Sequence, residues 1–155
     1  VTDNSKIEWN KYQRLGIIAI GAVGLALMYL LQRQFFYDPL QDFVYNPVID
    51  NRPEIEVFRF ISGKIIRYIL NDVLAIFILM GLFADRKYLR LALMVFLFGL
   101  VILLPAYFIT VFFFLPEVHS FLNHIHRLVL NPVLMLMLIP AIYYQKSTEN
   151  RGLED

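Results

Sequence analysis

Arg67, Asn71 and Asp72 stand inside the run IIRYILNDVLAIFILMG, residues 65–81, which is otherwise apolar enough to cross a membrane. Ionisable and amide side chains in such a run are costly unless they face a partner or a wet cavity. At 3.6 residues per turn Arg67 and Asn71, four apart, share a face, whereas Asp72 lies about 140° around the helix from Arg67. Arg67 and Asp72 therefore do not neutralise one another within their helix, and all three are expected to point inward, toward other elements. A second polar set, His119, Asn123, Arg127 and Asn131, recurs every four residues. At about 40° of drift per step it makes a slowly turning stripe along one helical face.

The chemistry open to these groups is limited by type and spacing. His124 and His126 are two apart and His119 and His126 seven apart, neither of which is the three- or four-residue pairing of helical metal ligands, so no metal site is expected. There is no Gly-x-Ser-x-Gly motif around Ser62 or Ser120 and no glycine loop for a phosphate, so no catalytic residue and no cofactor is expected. The chain has no cysteine, which removes thiolate nucleophiles and disulfides together. What remains is a polar centre of Arg67, Asn71, Asp72, Asp38, His126, Arg127 and Asn131. Two readings of it stay open: a lock of interhelical hydrogen bonds and ion pairs, or a site for a substrate or partner. Asp38, in FFYDP, reads as a turn or cap before Pro39, or as the counter-charge of Arg67 or Arg127.

The elements that must position these residues are membrane spans. The 155 residues are 59% hydrophobic, in blocks divided by short polar stretches, and the mean hydropathy is +0.60. Crossing about 30 Å of hydrocarbon takes roughly 20 apolar residues, and four stretches qualify, at about 15–31, 65–84, 88–115 and 122–144. The expected fold is an all-α integral membrane protein, a single domain over 1–155 with four transmembrane helices. The apolar run 15–31 is longer than the core of a signal peptide and no small-residue cleavage pattern follows it, so it is expected to be kept as a helix. With four spans, no length is left for a separate soluble domain. Lysine and arginine are scattered rather than gathered on one aromatic-lined face, which argues against nucleic acid and leaves membrane lipids as partners.

The connections follow from punctuation. ADRKY leaves room only for a tight turn, so spans two and three form an antiparallel hairpin. The long connection, residues 32–64, holds Pro39, Pro47 and Pro53 and cannot be one helix. Pro53, Glu54 and Glu56 read as a helix start followed by the stripe Ile55, Phe58, Ile61 and Ile65. That predicts a short interfacial helix before the second span, or an outward extension of that span, with a bend at Gly63. Pro105 and Pro140 are expected to bend spans three and four. Gly16, Ala19, Ala22, Val23 and Ala26 give span one a small-residue face.

Eight basic residues fall at one set of span ends and six at the other, the six drawn from a much longer loop. By the positive-inside rule both termini are cytoplasmic and 32–64 is extracytoplasmic.

Taken in order, FFYDPL, RYILND, LLPAYF, HRLVLNPVL and LIPAIYYQ resemble the exosortase F system-associated membrane proteins, small four-span proteins of Bacteroidetes-type bacteria, over residues 15–145. None of the five strings is a catalytic signature. The resemblance implies an inner-membrane accessory or scaffold protein whose partner is an exosortase, a membrane enzyme that processes proteins bearing a C-terminal sorting signal. Exosortases rely on cysteine, arginine and histidine, and this cysteine-free chain is therefore not the enzyme. The competing expectation is a small membrane enzyme or lipid-handling protein acting on a headgroup or sorting-signal peptide at the outer leaflet through Arg67, Asp72, His126 and Arg127.

Overall fold

The computed structural model describes residues 6–36, 38, 56–113 and 128–151. Among these residues the fold is helical, with α1 (Lys11–Phe35), α2 (Val57–Phe83), α3 (Arg86–Phe98), α4 (Leu104–Phe113) and α5 (Val133–Arg151). A π-helical turn, Gly99–Leu103, joins α3 to α4. Three rods are long and apolar enough to cross a membrane: Lys11–Gln32, Val57–Phe83, and the continuous Arg86–Phe113.

The second rod is the central one. Its buried face begins at Phe60, Lys64, Arg67, Tyr68, Asn71 and Asp72 and continues through Ala75, Ile76, Leu79 and Met80. A two-residue connection joins it to α3. Ala84 takes a left-handed conformation, φ 47°, that closes the last turn of α2. Asp85 then caps α3, its carboxylate accepting from the Lys87 amide at 2.8 Å. Ring contacts run in opposite order along the two rods. Phe83 meets Tyr88, Tyr68 stacks on Phe96, and Phe60 meets Phe108 and Phe112. The expected antiparallel hairpin is thus in place.

Two apolar clusters form around this hairpin. One gathers Phe60, Tyr68, Leu104, Tyr107, Val111, Val129 and Leu130. The other, nearer the turn, gathers Ala75, Ile76, Leu79, Met80, Tyr88, Ala92, Met135 and Ile142. By contrast α1 packs chiefly along α2. A methyl group at Gly21 would fall 2.7 Å from the Leu74 carbonyl and one at Gly24 2.5 Å from the Leu74 side chain. Close backbone approach at small residues is how helices gain contact in lipid, but the residues that make it are Gly21 and Gly24; the expected face of Gly16, Ala19, Ala22, Val23 and Ala26 is exposed, with nothing within 4 Å of a methyl placed at Gly16. The rest of α1 is open: Leu15, Ile20, Val23, Leu27 and Leu30 are exposed, which suits an apolar solvent and not water.

Val57–Phe83 is one uninterrupted helix, so of the two expected arrangements the stretch from Val57 to Lys64 is an extension of span two and not a separate interfacial helix. Gly63 sits inside it, because one glycine lowers helix propensity by only about 1 kcal/mol and its neighbours on the buried face hold the turn. Residues 39–55, where a helix start at Pro53 was expected, lie outside the described residues. In span three the answer to Pro105 is a change of hydrogen-bond register over Gly99–Leu103. Proline has no N–H to give and crowds the carbonyl four residues back, and the wider turn just before it absorbs the mismatch. The fourth expected span, 122–144, is not continuous: residues 128–130 are helical, Asn131 and Pro132 form a bend, and α5 starts at Val133. A residue before proline is pushed out of the helical region, and the Asn-Pro pair ends the first piece. Its second half being polar, α5 is not among the three rods apolar enough to span, and Pro140 lies inside it without ending it.

The π-turn is tied to α2 by one hydroxyl. Tyr68 donates to the Phe96 carbonyl at 2.9 Å, and a methyl at Gly99 would lie 2.1 Å from the Tyr68 hydroxyl oxygen. Gly99→Ala should therefore lower the melting temperature in detergent by the equivalent of about 1–3 kcal/mol, the usual cost of overpacking. Tyr68→Phe in that background should restore part of the loss, whereas strictly additive losses would show that the two groups do not meet.

Candidate functional site: a buried ionic cluster

Phe60, Lys64, Arg67 and Asn71 follow one another at helical spacing along the buried face of α2. The first charge, Lys64, lies over the Phe60 ring with its ammonium 5.2 Å from the centroid. Its principal partner comes from beyond the end of α1, where the Asp38 carboxylate accepts a hydrogen bond from Nζ of Lys64. The same oxygen, Oδ2, stands 3.9 Å from Nη1 of Arg67. All three side chains are at least nine-tenths buried. Tyr107 of α4, fully buried, lies close enough to feel both the Asp38 and the Arg67 charge, and its ring packs on Phe108. Phe60, Phe108 and Phe112 close the aromatic wall around the pair. A wall of this kind lowers the local dielectric and strengthens the ionic contacts, while making a stranded charge more costly.

One turn further on, Asn71 donates from Nδ2 to the Leu130 carbonyl at 2.8 Å. The Asn131–Pro132 bend explains why that carbonyl is there to be met: the helix stops, and a side-chain amide replaces the missing backbone donor. Asp72, also buried, turns toward Tyr68, whose hydroxyl it faces. Asp72, Tyr68 and the Phe96 carbonyl thus form a second polar string, leading from α2 to the π-turn. The two strings diverge, as the 140° between Arg67 and Asp72 requires.

The sequence-derived residues are distributed as follows. Arg67, Asn71 and Asp72 face the interior as expected, and Asp38 reaches Arg67. Asn131 lies at the bend, and it is the neighbouring Leu130 carbonyl that meets Asn71. His119, Asn123, His124, His126 and Arg127 lie outside the described residues, as does the expected meeting of their stripe with α2. Lys64 is the addition. In the sequence it stands at the end of the long connection, one of the six basic residues on that side. Its signal was available: it is four residues after Phe60 and three before Arg67, on the face that Asn71 continues.

Chemically the arrangement is a clamp. One carboxylate bridges two cations on successive turns of α2, and in doing so ties the chain following α1 to the end of the hairpin remote from its turn. Among the described residues no group of three or more histidine or acidic side chains could hold a metal ion. The fold and cluster together define an all-helical protein with three helices long and apolar enough to cross a membrane and an ion-paired interior. Neither a protein-family model, nor a curated protein, nor a solved structure matches the chain.

The clamp predicts an order of effects. Arg67→Ala leaves Lys64 against Asp38, and Lys64→Ala leaves Arg67 in range, but Asp38→Asn removes the carboxylate that both buried cations share. Breaking a buried pair by removing one partner costs about 3–5 kcal/mol. Asp38→Asn should therefore cause the largest fall in melting temperature of the three, measured in one detergent. A smaller loss in Asp38→Asn than in Arg67→Ala would contradict the bridging role.

Proposed function

We propose that the chain is a four-span inner-membrane protein, both termini cytoplasmic, acting as a non-enzymatic accessory or scaffold protein of an exosortase F protein-sorting system. It binds the exosortase or its substrate through an extracytoplasmic polar centre, to which the sequence assigns His126, Arg127 and Asn131 beside the lock of Arg67, Asn71, Asp72 and Asp38. The observation that carries the non-enzymatic reading is the bridging of Lys64 and Arg67 by Asp38. Ionisable groups that hold one another in an aromatic enclosure stabilise a shape, whereas general acid–base chemistry needs a group free to exchange a proton with substrate. Support for a membrane partner comes from the bare faces of the apolar rods: Leu15, Ile20, Val23, Leu27 and Leu30 on α1 and Met94, Leu97 and Val101 along the third rod are all exposed. The sorting system enters through the five sequence strings alone.

In this reading Arg67 belongs to the lock and Arg127 to the binding surface. Co-purification from membranes containing a tagged exosortase should give a stable stoichiometric complex, reduced by Arg127→Ala. An undiminished complex in that variant would count against Arg127 as a contact, and absence of any complex, with turnover of a lipid or sorting-signal peptide by the isolated protein, would favour the membrane-enzyme alternative.

Topology is tested separately. Single cysteines at Asp50 and Arg86, probed on intact cells with a membrane-impermeant thiol reagent, should label at position 50 and not at 86. The reverse pattern would invert the orientation.

A further inference from the structure

The opposite end of the bundle, where α2 turns into α3, carries a feature that the polar-centre reading does not use. Arg86, Lys87, Arg90, Leu91 and Met94 line an open groove of about 730 Å³, with Tyr88 at its base and Gln145 of α5 on its far side. Their spacing places the three cations on the first turns of α3 and the two apolar residues directly beyond them. The groove is therefore graded along its length, cationic at the end of the rod and apolar toward the middle. Tyr88 is buried, and two ammonium groups approach its ring. The Lys87 ammonium lies 5.9 Å from its ring centroid, and that of Lys146, from α5, lies 5.4 Å from the same ring and 5.3 Å from Phe83. The nearby acid, Asp85, is buried and engaged with the Lys87 amide, so it is turned away from the groove.

We infer that this groove is a binding site for an anionic phospholipid, its phosphate held by Arg86, Lys87 and Arg90 and its acyl chains laid over Leu91 and Met94. Charge complementarity selects the headgroup: guanidinium groups one helical turn apart grip a phosphate in the two-pronged way that scattered lysines do not. The apolar wall selects a lipid over a soluble phosphate. Leu91 is 38% and Met94 67% exposed, and a free anion at the mouth would leave both uncovered. The position suits a lipid as well, since the groove begins at the end of a rod long enough to cross the bilayer and descends along it. This site is independent of the proposed sorting role and stands or falls without it.

The test uses the full chain, purified in a neutral detergent and offered phosphatidylglycerol, phosphatidylcholine or inorganic phosphate. Retained lipid is counted by native mass spectrometry and the melting temperature followed in parallel. Phosphatidylglycerol should be retained and should raise the melting temperature, phosphatidylcholine should do so far less, and inorganic phosphate should leave it unmoved. Arg86→Gln and Arg90→Gln, both at exposed positions, should each weaken phosphatidylglycerol retention roughly fivefold, the usual effect of one basic residue at an anionic surface. Lys11→Gln, which removes a positive charge outside the groove, should leave retention unchanged. Met94→Gln keeps all the cations and should still reduce retention of the two-chain lipid. Equal loss in Lys11→Gln, equal retention of the two lipids, full retention by Met94→Gln, or a shift with inorganic phosphate matching that with lipid would each overturn the proposal.

Discussion

A carboxylate buried between two cations is the contact on which the half of the molecule remote from the α2–α3 turn depends. Lys64 and Arg67 lie on a helix face surrounded by Phe60, Tyr107 and other aromatic rings, an environment in which neither charge could remain without compensation. Asp38 supplies it from a different part of the chain. The N-terminal extension of α2 accompanies it, since the helix must continue back past Gly63 for Phe60 to stand a turn from Lys64 and lie against its ammonium. Phe60 then covers the pair, and Phe108 and Phe112 cover Phe60. The apolar cluster at this end is built around the charges rather than beside them.

Below the clamp, Asn71 and Asp72 divide the polar face in two and send each half to a place where a helix departs from regularity. Asn71 goes to the Asn131–Pro132 bend and Asp72, through Tyr68, to the π-turn before Pro105. Proline in an apolar rod frees or displaces backbone carbonyls that water cannot satisfy in lipid. Polar residues on α2 thus serve the irregular backbone of its neighbours. The cost of placing them in an apolar run is offset locally, contact by contact.

Much of this was legible from composition and periodicity, because a run of twenty apolar residues has few alternatives. The hairpin at ADRKY and the inward aim of Arg67 and Asn71 followed from a short connection and from 3.6-residue geometry. Lys64 escaped because a lysine at the edge of an apolar run usually extends to water, and only the rings supplied by α4, some forty residues later, make it an interior residue. The break at Asn131 was visible in the Asn-Pro pair but was outweighed by a polar stripe that seemed to run through it. The π-turn had no local signal beyond Pro105 itself, since glycine at position 99 acquires its meaning only from Tyr68 across the hairpin. Interactions that depend on two distant segments meeting are where periodicity ceases to inform.

At the turn end, the N-terminal segment folds back under the hairpin. The Ile7 amide donates to the Ala84 carbonyl at 2.8 Å, and the Arg14 guanidinium donates to the carbonyls of Gly81, at 3.0 Å from Nε, and of Leu82. Those acceptors exist only once α2 has formed its final turn and stopped, so the arginine reads completion of a helix nearly seventy residues downstream. During synthesis the latch of α1 must therefore wait until the second rod is complete. Its fastening is a late event in assembly, and a chain truncated within α2 would leave the first helix unlatched.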